Sequence, residues 1–337
     1  MGQGQHSLKG WFGVGFHATS LTDLRQTAVA RAYYNRFHDL EITHDQGEEI
    51  DPTSGASQAE GMSYGDYDVR VKGTLEGSTE GCFPALARSL MGGAMGDSTV
   101  GTTGKQHVMV LADTVPLAGG RLSYERRFGT NAESEIGNGI CNKLGYKVDQ
   151  AGYVRIPFEM LGSTPSYLGT PSTPTLPDVS TLMAQRPSTL TFDGDATQAV
   201  KGFSWMLERK MDDKDYDISS RQRRDASYQE LVPTFEAEIT FQTMANCRRF
   251  WGSATATSPT DTETYYPVNL KNERADVIAG GTAKHTVTLD LPRCHVKVGT
   301  PMKGKDVIRQ KVTGQAFYKA ASGHGAQLTI INSVASY

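Results

Sequence analysis

Residues able to do chemistry are present in this chain, but their spacing completes no site. Gly10, Gly13 and Gly15 in "GWFGVGF" suggest a dinucleotide-binding turn. That motif needs a strand before it and a helix after it, and neither pattern flanks it. "GDSTVGTTGKQ" approaches a phosphate-binding loop, yet Thr99 stands where the first glycine belongs and Gln106 where a Ser or Thr must hold magnesium. Asp213, Asp215 and Asp217 begin like a calcium loop, but Ile218 takes the place of its glycine and Arg224 that of its bidentate glutamate. The eight histidines form no H-x-x-x-H or H-E-x-x-H pair, and no G-x-S-x-G elbow occurs. The expectation is a protein with no catalytic residues, no metal and no cofactor, whose work is done by its surface and its assembly.

Composition narrows this further. A length of 337 residues suits one large domain or two ordinary ones. The formal net charge of -3 gives no basic field to attract nucleic acid or an anionic membrane. Cys82, Cys141, Cys247 and Cys294 are scattered with no C-x-x-C pair, and read as buried reduced thiols. The N-terminal residues hold no apolar secretion core, and no run approaches the roughly 20 apolar residues of a membrane span. A soluble protein made in a cytoplasm is expected.

The elements that must position these residues are mostly strands. "PTFEAEITFQTMANCRRFWG" (233–252) alternates Phe235, Ala237, Ile239 and Phe241 with polar residues, then turns helical around Cys247, Phe250 and Trp251. "YDVRVKGTLEGSTEGCFPALARSL" (67–90) has the same shape: Val69, Val71 and Leu75 alternate with Arg70, Lys72 and Glu76, and Cys82, Leu86 and Leu90 recur every four residues. Further strands are read in "QHVMVLA", "GRLSYERRF", "LGYKV", "YVRIPFEML", "KGFSWMLER", "AKHTVTLDL" and "GAQLTIINSV", with residues 21–38 open to a helix or a strand. Residues 162–188 are rich in Pro, Ser and Thr and read as a linker. On either side of it the order of elements matches. Each half has an entry strand, a long polar loop (43–66 and 212–230), a strand–helix unit and closing strands. That order predicts two copies of one β domain, at 1–161 and 189–337.

The segment order carries a family resemblance. "VRVKGTLEGSTEGCFPALARSLMGG" resembles the early strand and helix of bacteriophage tail tube (major tail) proteins, and "VKGFSWMLERKMD", "PTFEAEITFQT", "TVTLDLPRCHV", "DVIRQKVTGQAFY" and "QLTIINSVASY" resemble the second part of that family. The resemblance implies an all-β fold with a few short helices, built as two duplicated tail-tube-type β-sandwich domains. These would close into trimeric, pseudo-hexameric rings, or hexameric ones, with an intersubunit β-barrel lining the lumen. Stacked rings would form the virion tail tube through which DNA passes without specific binding, assembled in the host cytoplasm. Its partners would be the tape measure, the tail terminator and the baseplate or tail-tip proteins, with no membrane. Asp45, Glu48, Glu49, Asp51, Glu60 and Asp66 make the first loop acidic, and Asp212, Asp213, Asp215 and Asp217 lie in the second. All are expected at the lumen or between rings, with Glu236 and Glu238 on the channel side of a wall strand. A negative lumen would repel phosphates. The alternatives are a two-domain carbohydrate-binding or host-surface-binding β-sandwich, a hydrolase on a β scaffold, the inner tube of a contractile apparatus, and a tail terminator.

Overall fold

The computed structural model describes the chain apart from residues 1–9, 17–30, 52–60, 93–94, 112–119, 128–132, 149–151, 164, 185–187, 195–199, 217–219, 241–243, 250, 261–262, 299–301 and 304–307. The first half contains β1 (Trp11–Phe16), β2 (Tyr33–Asn35), β3 (Phe37–Asp51), β4 (Gly61–Glu76), α1 (Cys82–Leu90), β5 (Gly96–Val100), β6 (Gly104–Val110), β7 (Leu122–Arg127), β8 (Ser134–Val148), β9 (Arg155–Gly162) and β10 (Ser166–Leu168). The second half contains β11 (Ser188–Phe192), β12 (Val200–Tyr216), β13 (Arg223–Thr240), α2 (Ala245–Arg249), β14 (Tyr266–Val277), β15 (Lys284–Val298), β16 (Met302–Lys303), β17 (Ile308–Ala316) and β18 (Gln327–Asn332). The fold is all-β, and the strands join into one connected antiparallel sheet.

The alternating residues do what their period dictates. In β13, Phe235, Ala237 and Ile239 are buried while Glu236 and Glu238 are exposed; in β4, Val69, Val71 and Leu75 are buried. Helix α1 buries Cys82, Leu86 and Leu90 along one face and packs on β8. Its entry at Gly81 has φ 77, and an added Cβ would sit 2.1 Å from Asn35 Oδ1, so only glycine fits. That same Asn35 oxygen accepts from the Cys82 N–H at 2.9 Å, capping the helix from a distant strand.

Strand pairing runs in the same order in both halves. In the first, β3 pairs β4, β4 pairs β9, β9 pairs β8, β8 pairs β7 and β7 pairs β1. In the second, β12 pairs β13, β13 pairs β17, β17 pairs β15, β15 pairs β14 and β14 pairs β11. The hairpins match in detail. Register shifts fall between Phe37/Asp39 and Gln46/Glu48 in one and between Val200/Gly202 and Arg209/Met211 in the other, which has two more near its end, at Asp212/Asp215 and Asp215/Tyr216. A constant shift of 164 residues carries Tyr64, Tyr67 and Leu75 onto Tyr228, Leu231 and Ile239, their counterparts in the ladder. The hairpin β5–β6 interrupts the match. It lies between α1 and β7, and β6 pairs with β18 of the other half.

Three expectations change. The described residues of 43–66 and 212–230 lie mostly in hairpin strands rather than long loops, with β3 reaching Asp51 and β12 reaching Tyr216, while 52–60 and 217–219 lie outside the described residues. The sequences of both segments are mostly polar, which leaves no apolar period to read, and the end of the second is held by Arg223 and Ala226, both buried. Residues 162–188 are not a free spacer: β10 pairs with β8, and Leu182 and Met183 are buried. Prolines removed the ladder donors, but the Ser172 N–H and hydroxyl donate to Glu125, Ser78 meets Thr181, and Met183 N–H donates to Gly77 O at 2.7 Å. Of residues 21–38, the described part is extended, with β2 and the start of β3, and residues 21–30 lie outside the described residues. Helix α2 stops at Arg249 and Trp251 lies in a turn; Phe241 and Phe250 are outside the described residues.

Candidate assembly edges and charged face

The longest strands lie side by side in the order β3–β4–β9–β8–β12–β13–β17–β15. The two halves meet edge to edge at β8 and β12, from Phe203 opposite Val148 to Glu208 opposite Lys143. Beneath the joint, Tyr146 and Trp205 stack at 5.4 Å with planes 7° apart, and Phe83 of α1 lies against both. Phe203, Trp205, Leu207 and Leu144 are all buried there. This is an ordinary, fully packed core seam, with the Tyr146 hydroxyl satisfied by Asn272 at 2.7 Å.

The run ends in two open edges. Among the described residues β3 pairs only with β4, and β15 beyond Cys294 has no strand on the side where β14 leaves it. Apolar side chains at these edges are incompletely covered. Leu40 and Ile42 on β3 and Val298 on β15 are half-buried. Their ladder counterparts at the internal joint, Phe203, Trp205 and Leu144, are buried. An unpaired edge of this length is a template for another strand.

The solvent face of the same run carries charge in strand-wise bands. Glu41 of β3 pairs with Lys72 of β4 at 3.2 Å, Arg70 of β4 with Glu159 of β9 at 3.7 Å, and Lys143 of β8 with Glu208 of β12 at 3.1 Å. Glu236 and Glu238 of β13 meet Lys311 and Arg309 of β17 at 2.7 and 3.0 Å. All ten groups are at least one-quarter exposed, so each pair is worth about 0–1 kcal/mol. What they do collectively is cancel charge. A depression of about 500 Å³ opens on this face beside Lys147, Ser204, Met206, Thr234 and Lys297.

The acidic residues expected to act together are spread over different places. Glu236 and Glu238 sit side by side on the charged face and are paired with Lys311 and Arg309. Asp45 and Asp66 are exposed on β3 and β4, and Asp212 is exposed on β12. Glu48, Glu49 and Asp51 lie on β3 opposite Tyr64, Ser63 and Gly61, while Asp213 and Asp215 lie on β12. Glu60 and Asp217 fall outside the described residues. Sequence reading weighted the acids and passed over the cations Lys143, Arg309 and Lys311. The signal was there: each lies on the polar parity of its strand.

The end of hairpin β12–β13 folds onto the first half. Arg223, 1% exposed, donates to Gly162 O at 3.0 Å and pairs with Asp68 of β4, while Asp225 pairs with Arg121. Gln222 bridges to Tyr67 in parallel. Burial works to raise the Asp68 carboxyl, but Arg70 and Arg223 outweigh it and hold it below the usual carboxylate range. Among the described residues no group of His, Cys, Asp or Glu could hold a metal ion, and no helix is long and apolar enough to cross a membrane. Compared with protein-family models and with curated proteins, the chain matches none.

Proposed function

We propose that the chain is a structural virion protein that polymerises into the hollow tube of a phage tail. On this reading the two halves are copies of one tail-tube-type domain, and rings of three chains stack to form the tube. One observation carries it: both halves repeat the same pairing order and join edge to edge at β8 and β12, and among the described residues the two corresponding edges are open. Repeating that joint between chains closes a barrel. Eight strands per chain in three chains make a barrel about 48 Å across at the backbone, for a strand spacing of ~4.8 Å and a tilt near 40°. A bore of that size passes a double helix.

The charged face would line the bore. Its paired bands give neither a cationic groove to hold phosphates nor the acidic wall anticipated from the loops, so DNA would slide past a surface of nearly balanced charge. Negative-stain microscopy of the purified chain tests the proposal. Rings or hollow rods are expected, with three chains per ring by native mass measurement. Monomers persisting at high concentration would end it.

A further inference from the structure

The internal joint specifies how one chain should seat on the next. The hairpin shift irregularities align Glu208 on β12 with Asp45 on β3, since Gln46 corresponds to Arg209 at the second shift. The β4–β9 and β13–β17 ladders pair Leu75 with Ile156 and Ile239 with Gln310. That aligns Glu159 with Thr313. Their partners on the next strand are Lys143 on β8 and Lys297 on β15. Within the chain, Lys143 and Glu208 lie directly opposite each other in the ladder and form an ion pair at 3.1 Å. Their counterparts, Lys297 and Asp45, are both exposed and at opposite open edges, and among the described residues neither makes an ion pair. Asp45 instead lies opposite Asp68, a like charge across the ladder, whose own cations are Arg70 and Arg223. A cation is missing on one side of Asp45, and an anion beside Lys297.

We infer that β3 of one chain adds antiparallel to the β15 edge of a second copy with Asp45 directly opposite Lys297, reproducing the Glu208–Lys143 pair, and with His44 opposite Val298. This rests on the ring reading and adds its register. A slip of one residue would turn Leu40 and Ile42 to the wet face, so the half-buried apolar residues and the charges select the same alignment.

Cysteine cross-linking reads the register directly, because residues directly opposite in a ladder have Cβ atoms about 4.5–5.5 Å apart, within reach of a disulfide after small adjustment. The full chain carrying both Asp45→Cys and Lys297→Cys is oxidised after assembly. Covalent dimers and trimers are expected, with neither single variant forming them. A second pair of variants tests the charges. Lys297→Glu alone or Asp45→Lys alone should weaken assembly about 2- to 5-fold per joint, and the two together should restore it. Rings that form normally but give no cross-link, or cross-link instead through Thr43→Cys with Lys297→Cys, would overturn the register and leave the tube intact. Absence of rings in the unaltered chain would remove the tube and the register together.

Discussion

At the residue scale, the cysteines and aromatics behave as packing. Cys82, Cys141 and Cys294 are free and buried, and burial pushes each thiol far above its ordinary range. Cys82 Sγ–H donates to the carbonyls of Phe12 and Tyr33 at 3.3 Å. A thiol reagent should therefore leave these three untouched in the folded chain and label them only in denaturant; rapid native labelling at any of them would contradict the packing. The central aromatic is Trp205, 2% exposed and stacked on Tyr146 across the joint. Trp205→Ala should cost about 3–5 kcal/mol in chemical denaturation, with Tyr146 left facing a void. Cys82 was legible as a core residue because four-residue spacing put it in line with Leu86 and Leu90. The partnership of Trp205 with Tyr146 was not, since the two are joined only by the pairing of strands from different halves.

At the scale of elements, the hairpin β12–β13 is held at both ends. Its base is the β8 joint and its far end is the Arg223–Asp68 contact. Arg223→Ala would leave Asp68 partly buried beside Arg70 alone and the Gly162 carbonyl without that donor, at a cost of about 2–4 kcal/mol. Hydrogen exchange should then rise along 212–226 before the β8 joint loosens. Because the Asp68 carboxyl is held below its ordinary value of 3.8, its contribution is present above that pH and is lost as pH falls through the lowered folded value. Asp68→Asn should accordingly flatten the acid limb of the stability curve below about pH 4; an unchanged limb would mean that the ion pair adds nothing. The strands themselves were visible wherever one face is buried, as in β4 and β13. The hairpin ends were not, because segments 43–51 and 212–230 are mostly polar and carry no apolar period. The strap at 165–184 was missed for a related reason: its docking uses side chains such as Glu125 and Ser78 that lie far away in sequence.

At the scale of the whole molecule, the strands were readable and the joint was not. The abundance of strands on both sides of 162–188 follows from the alternation, but which strands correspond and which lie at the seam depends on the ladder, with β7 matching β14 and β8 matching β15. If the tube is built by backbone pairing at that seam, with ion pairs only decorating it, rods should survive about 1 M salt, which screens exposed pairs within ~3 Å. Rods that dissolve there would mark charge as the main adhesive. The balanced face also predicts no measurable retention of duplex DNA by assembled rods near physiological salt, read by co-sedimentation.

The seam between β8 and β12, made within one chain, has a kinetic side as well. In a ring of three chains, half of the edge-to-edge joints are made during folding, at an effective concentration set by the tether rather than by the number of chains in solution. Closure then needs three encounters where six separate domains would need six. The first half also carries a hairpin, β5–β6, that interrupts the order the halves otherwise share. A ring assembled this way would repeat its strand order six times around the bore but its β5–β6 hairpin only three times.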